Sequence, residues 1–148
     1  MEPGGLVAAG RDGAIYEFGP GRVLRKTFDG RSIASEARIM QHVAEHGYPV
    51  PRIDEVRANG TEIVMERIDG VPMLDDMVRP PTKLPKAMRT LADLHDQLHA
   101  IAAPDWMRDL DDGGECVVHL DLHPQNVLMT ASGPVVIDWA NACRGHAL

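Results

Sequence analysis

Glycine and proline break this chain into short pieces and leave two stretches able to carry a helix. Gly4, Gly5, Gly10, Gly13, Gly19, Gly21 and Gly30 punctuate the first 30 residues. Strand-like pieces lie between them, Ala14 to Phe18 and Arg22 to Phe28, with Gly19-Pro20-Gly21 as the hairpin turn. The first helical stretch runs from Ile33 to His46, with Ser32 as its N-cap and Gly47 just beyond its end. Tyr48-Pro49-Val50-Pro51 cannot continue it, and a second strand pair, Ile53 to Val56 and Glu62 to Glu66, flanks the turn Ala58-Asn59-Gly60. Asp69-Gly70, Pro72, Pro80, Pro81 and Pro85 mark a poorly regular connection, the expected boundary between a lobe of residues 1–68 and a lobe of residues 69–148. From Lys86 the apolar residues Ala87, Leu91, Leu94, Leu98 and Ile101 recur at helical spacing. Three strand-like runs follow: Cys116 to Leu120, Val127 to Thr130 and Pro134 to Ile137, the last two joined by Ala131-Ser132-Gly133. This order predicts an α+β protein in two lobes.

Composition narrows the class. The 148 residues are 44% apolar and 25% charged, which excludes collagen, coiled coil and wholesale disorder. No apolar run is long enough for a membrane span, and the start lacks the basic and apolar regions of a signal peptide. Cys116 and Cys143 are too few for a disulfide framework. A cytoplasmic protein is expected. The net charge of −7 argues against a nucleic-acid partner, and 4% aromatics argues against a stacking platform for single strands.

The chemistry concentrates in His119-Leu120-Asp121-Leu122-His123-Pro124-Gln125-Asn126, which reads H-x-D-x-x-x-x-N and is followed after a hairpin by Ile137-Asp138-Trp139. Singly, Asp121 and Asn126 fit ordinary turn chemistry. His119, Asp121 and His123 also suggest a zinc cluster. Histidines four apart share a face only on a helix, however, and zinc leaves Asn126 and Asp138 unexplained. The two segments together resemble the catalytic loop and metal-binding strand of the kinase-like fold. Their wording is similar to that of the aminoglycoside phosphotransferase and choline kinase-like family. Eukaryotic protein kinases more typically show Arg before the first Asp and Phe-Gly after the second. The resemblance spans Gly10 to Gly145. It implies a two-lobe protein-kinase-like fold with a β-rich N-lobe and an incomplete helical C-lobe.

That resemblance implies an ATP-dependent phosphotransferase using Mg²⁺ and a small-molecule alcohol acceptor, with no nucleic-acid or membrane partner. Asp121 would accept or orient the acceptor hydroxyl proton. Asn126 and Asp138 would hold the metal through oxygen donors, and His119 would be structural, bonding backbone near the loop. Gly10-Arg11-Asp12-Gly13 stands where a phosphate-covering loop belongs, although a plain hairpin turn reads the same. On the next strand Arg25 and Lys26 point to opposite faces, so only one reaches phosphate. Lys26 is favoured for its compact ammonium, and Arg25 aligns about as well. Glu36 falls on the apolar stripe of Ile33, Met40 and Val43 and needs a cation there, Lys26 or Arg25, unless it stays wet at the stripe's edge. Val64 to Ile68 resembles the family's hinge, where exposed backbone from Glu66 to Ile68 would meet the adenine edge; an ordinary edge strand reads the same. His95 and His99 read as helix packing rather than metal ligands. The acidic segment Asp105 to Glu115 reads as a solvated loop, or as an attractor for a cationic acceptor.

Family members continue past the Ile-Asp-Trp strand with helices that complete the C-terminal lobe. The ending Asn141 to His146 looks like the start of a further segment, so a fragment is expected. The helix from Ala87 to Ile101 would then be partly uncovered and prone to association. The alternatives to an active phosphotransferase are a truncated or degenerate nucleotide-binding module without turnover, and an atypical protein kinase.

Overall fold

The computed structural model describes residues 2–10, 13–78, 80–110 and 113–147. The chain divides into two compact units, one of residues 1–42 and 51–68, the other of residues 43–50 and 69–148.

The first unit holds an antiparallel sheet of β1 (Leu6–Ala9), β2 (Gly13–Glu17), β3 (Arg22–Thr27), β4 (Ile53–Arg57) and β5 (Glu62–Glu66), in the order β1-β2-β3-β5-β4, with α1 (Ala34–Glu45) between β3 and β4 in sequence. β1 is the one strand here that the sequence did not announce. All four of its residues are exposed, so it carries no alternation. Leu24 pairs with Val64, and both pack with Phe18 on one face. Arg25 pairs with Ile63, whose side chain packs against Ile33 and Ala37 at the start of α1. Period-two alternation thus gives one sheet face to the helix. Ser32 Oγ accepts the Ala34 N–H at 3.3 Å, capping α1. The β4–β5 turn reaches the same point, because the Gly60 carbonyl accepts the Ile33 N–H at 2.6 Å. Gly60 has φ +86°, and a Cβ there would run into the Ser32 side chain, so only glycine allows the approach.

In the second unit the connection expected to be irregular is built. β6 (Val71–Pro72) leads into α2 (Met73–Met77), and a 3-10 turn at Pro81–Lys83 leads into α3 (Leu84–His99). Pro72 is tolerated because β6 is the edge of the sheet β6-β8-β9, formed with β8 (Val127–Thr130) and β9 (Gly133–Val136). On α3, Leu94 and Leu98 are buried, followed by Ile101, while Leu84 and Met88 near its start are 44% and 42% exposed. Tyr48 is buried, donates its hydroxyl proton to the Leu94 carbonyl at 3.0 Å and meets Trp139 edge-on at 5.8 Å. The Val136 N–H bonds the Pro49 carbonyl at 2.9 Å.

β7 (Cys116–Val118) pairs antiparallel with β10 (Cys143–Gly145), a strand absent from the sequence expectation. The Arg144 guanidinium donates to the Gly114 carbonyl from Nε at 3.0 Å and from Nη2 at 2.8 Å. Within the acidic segment, Asp109 accepts the N–H groups of Gly113 and Gly114 at 3.1 and 3.3 Å, so its carboxylate shapes the loop. Asp111 and Asp112 lie outside the described residues. Among the described residues no helix is long and apolar enough to cross a membrane.

Candidate active site

β7 delivers His119 into the interior, where it is 2% exposed. Its Nδ1 accepts the Asp121 N–H at 3.1 Å, so Nε2 carries the proton and donates to the Ile137 carbonyl at 3.0 Å. The ring stands edge-on to Trp139 at 4.8 Å. Burial pushes its pKa below the ordinary histidine value, against the opposing pull of the Ile137 carbonyl. Both nitrogens are engaged by protein groups, which leaves no lone pair for a metal. Between His119 and Asp121, Leu120 adopts φ +69° with its side chain exposed.

Asn126 gives its Nδ2 to Asp121 twice, to the main-chain carbonyl at 2.9 Å and to Oδ2 at 3.1 Å. That assigns the amide orientation and reserves Asn126 Oδ1 as the acceptor atom suited to a cation. The loop between them closes as a 3-10 turn, Pro124–Asn126, capped by His123 Nδ1, which accepts the Gln125 N–H at 3.3 Å.

Ile137 joins the two segments through its backbone. Its N–H donates to the Asn126 carbonyl at 2.9 Å, and its carbonyl takes the His119 proton. Asp138 follows at φ +61° as an exposed residue, between buried Val136 and fully buried Trp139, whose Nε1 donates to the Val136 carbonyl at 3.0 Å. One amino acid therefore ties the segment that carries Asp138, just past β9, to both ends of the loop carrying Asp121 and Asn126. Carboxylates and an amide oxygen on a hydrogen-bonded frame match the hard oxygen ligands that Mg²⁺ takes.

The first unit holds the remaining predicted residues. The Gly10 N–H bonds the Gly13 carbonyl at 2.9 Å, and Arg11 and Asp12 lie outside the described residues. A Cβ on Gly13 would overlap the Lys26 carbonyl, so this glycine serves the close approach of β2 to β3. The Glu36 carboxylate is paired with Arg25, at 2.6 Å from Nη1 to Oε1 and 3.3 Å from Nη2 to Oε2. The favoured partner, Lys26, is corrected here. Arg25 shares the sheet face of Ile63 and so meets α1, whereas Lys26 is exposed on the other face. Glu36 itself is 8% exposed, on the stripe and not wet at its edge. At the hinge, β5 lies between β3 and β4 and is no edge strand. The Glu66 N–H bonds the Arg52 carbonyl at 2.8 Å, Glu66 Oε1 accepts the Arg52 N–H at 3.0 Å, and the Arg67 N–H bonds the Gly21 carbonyl at 3.0 Å. These bonds occupy the amides of Glu66 and Arg67, and Ile68 is the first residue beyond them. His95 and His99 pack ring to ring at 5.8 Å on α3.

Sequence reasoning weighed His123 only as a zinc ligand and gave it no place beside Asp121. Its Nε2 lies 3.1 Å from Asp121 Oδ1. The available signal was its position two residues after Asp121 and just before a proline, a common start for a tight turn.

The model of APH, the phosphotransferase enzyme family, matches residues 6–114 and 101–148. The chain belongs to the APH family. Similar solved structures include a thermostable mutant of aminoglycoside phosphotransferase APH(4)-Ia in ternary complex with AMP-PNP and hygromycin B, at 18% identity and TM-score 0.67, covering 96% of this chain and 67% of that one. An aminoglycoside phosphotransferase from Alicyclobacillus acidocaldarius matches at 18% identity and TM-score 0.64, over 97% of this chain and 64% of that one. A choline/ethanolamine kinase family protein from Mesorhizobium loti matches at 17% identity and TM-score 0.68, over 97% of this chain and 60% of that one. No curated protein matches the chain significantly. The APH chain thus has the kinase-like α+β fold expected from its motif, and it spans about two thirds of the length of these neighbours.

Proposed function

We propose that this APH family member transfers the γ-phosphoryl group of ATP to a hydroxyl of a small molecule, an amino sugar, amino alcohol or similar metabolite, in the cytoplasm. The observation that carries the reading is the backbone junction at Ile137, which holds Asp121, Asn126 and Asp138 on one frame. Family membership supports the reaction class. The neighbour crystallised with AMP-PNP and hygromycin B supports a nucleotide donor and an amino-sugar acceptor.

In this reading the chain's own groups position and orient, since phosphoryl transfer leaves a protein little covalent work. Asp121, part-exposed and held by Asn126, accepts or orients the acceptor hydroxyl proton. Asn126 Oδ1 and the Asp138 carboxylate hold Mg²⁺, which when bound neutralises charge on the phosphates. His119 fixes the loop and moves no proton. The segment Gly10 to Gly13 covers phosphate, Arg25 contacts it while anchored by Glu36, with exposed Lys26 as the second candidate, and backbone at Ile68, past the occupied amides of Glu66 and Arg67, meets adenine. Asp121→Asn is expected to preserve Mg-ATP affinity and to lower kcat by ~10²–10⁴-fold, the worth of a positioned acid–base group. Calorimetric nucleotide titration and ADP release against amino sugars and amino alcohols test it. Unchanged turnover in the variant removes Asp121 from the mechanism. Nucleotide binding without ADP release in the parent favours the binding-module reading.

A further inference from the structure

His123 makes a contact from each ring nitrogen. Nδ1 accepts the Gln125 N–H at 3.3 Å, so the ring proton resides on Nε2, and Nε2 lies 3.1 Å from Asp121 Oδ1. Asn126 Nδ2 is 3.4 Å from the same Nε2. In this tautomer both atoms are donors, so that approach is no hydrogen bond, and the Asn126 hydrogens go to Asp121 instead. Each carboxylate oxygen of Asp121 therefore has a nitrogen of a different residue against it: Oδ1 lies 3.1 Å from His123 Nε2, and Oδ2 accepts from Asn126 Nδ2. The terminal torsion of an aspartate is soft, and a hydrogen bond on one oxygen with a polar nitrogen packed against the other holds it where one contact would leave it free to swing. The remaining lone pairs of the carboxylate then point in a fixed direction. The side chains of His123 and Asp121 are 42% and 36% exposed, so the clamp leaves the carboxylate open to a hydroxyl.

We propose that His123 is a positioning residue, which aims the Asp121 carboxylate at the acceptor hydroxyl while capping the turn that places Asn126. This rests on the role proposed for Asp121. Two substitutions separate the functions of the ring. His123→Asn keeps a side-chain acceptor for the Gln125 N–H, since asparagine is a good cap, but is too short to reach Asp121. His123→Gln has an amide that extends further and can donate to Asp121.

Proton NMR of ¹⁵N-labelled protein reads the contact without turnover. The Hε2 proton of His123 should exchange slowly with solvent in the parent and rapidly in Asp121→Ala, with the Gln125 amide unchanged. Acceptor-dependent ADP release reads the consequence. His123→Asn should lose between ~10-fold and ~100-fold in kcat, as a mis-aimed group does, with KM for Mg-ATP unchanged, and His123→Gln should recover part of the loss. Hε2 exchange as fast in the parent as in Asp121→Ala overturns the proposal. So does parental kcat in His123→Asn when Asp121→Asn is impaired. A parent without acceptor-dependent ADP release instead overturns the phosphotransfer reading, and the exchange measurement still decides the contact.

Discussion

Both nitrogens of His119 are engaged, and a second proton on Nδ1 would face the Asp121 N–H that now donates to it. The folded state therefore resists protonating this ring, as burial alone also dictates. His99 is shifted the same way, first by burial and then by His95. An unfolded chain takes up these protons near pH ~6.5, before the native chain does, so stability is full above that value and falls as the pH drops through it. The urea midpoint should be lower at pH 5.5 than at pH 7, and His99→Gln should shrink the difference. Asp54 does not mask the effect, because its hydrogen bond from Arg52 holds its carboxyl below the usual range and outside this window. An identical midpoint at both pH values would contradict the assignment. At this scale the sequence reading reached His119, which lies two residues before Asp121 at the end of an apolar strand and whose ring bonds backbone on both sides. It did not extend to His123, whose role depends on a turn geometry that one-dimensional spacing does not encode.

Between elements, the Arg25–Glu36 pair links β3 to α1, and the two partners are unequal: the side chains are 27% and 7% exposed. Removing the arginine strands a nearly buried carboxylate. Arg25→Met should cost about 1–3 kcal/mol, below the value for a fully buried pair because Arg25 touches water. Lys26→Met should stay within about 0.5 kcal/mol. Urea denaturation of both variants checks the contrast, and equal losses would mean that the pair is not what anchors the helix. Alternation said that Arg25 and Lys26 oppose one another. The choice between them required the register that sets Arg25 beside Ile63. The same distinction runs through the other elements. α3 and the β8–β9 hairpin were legible because their own residues carry the period. β6 and α2 were hidden behind prolines that are tolerated only at an edge or a helix start. β10 is three residues long and exists because β7 offers it a partner.

For the molecule as a whole, a ligand that binds only the native state raises stability by mass action. At about a hundredfold excess over Kd the gain is roughly 2.7 kcal/mol, or about 5–10 °C in Tm for a chain of this size. Mg-ATP should produce such a rise in circular-dichroism melting, and EDTA or Asp138→Ala should abolish the magnesium-dependent part. A shift that survives Asp138→Ala would move the metal elsewhere. The backbone at two positions has a further consequence. Leu120 and Asp138 both sit in the left-handed region, at φ +69° and +61°, which disfavours side chains by about 1–2 kcal/mol per residue. For a drifting lineage, glycine at position 120 is downhill for the fold and removes only a side chain that is exposed. Glycine at 138 is less downhill for the fold, because aspartate tolerates this region better than leucine, and it deletes the carboxylate proposed to hold magnesium. Selection for thermostability and selection for turnover would therefore agree at the first position and pull in opposite directions at the second.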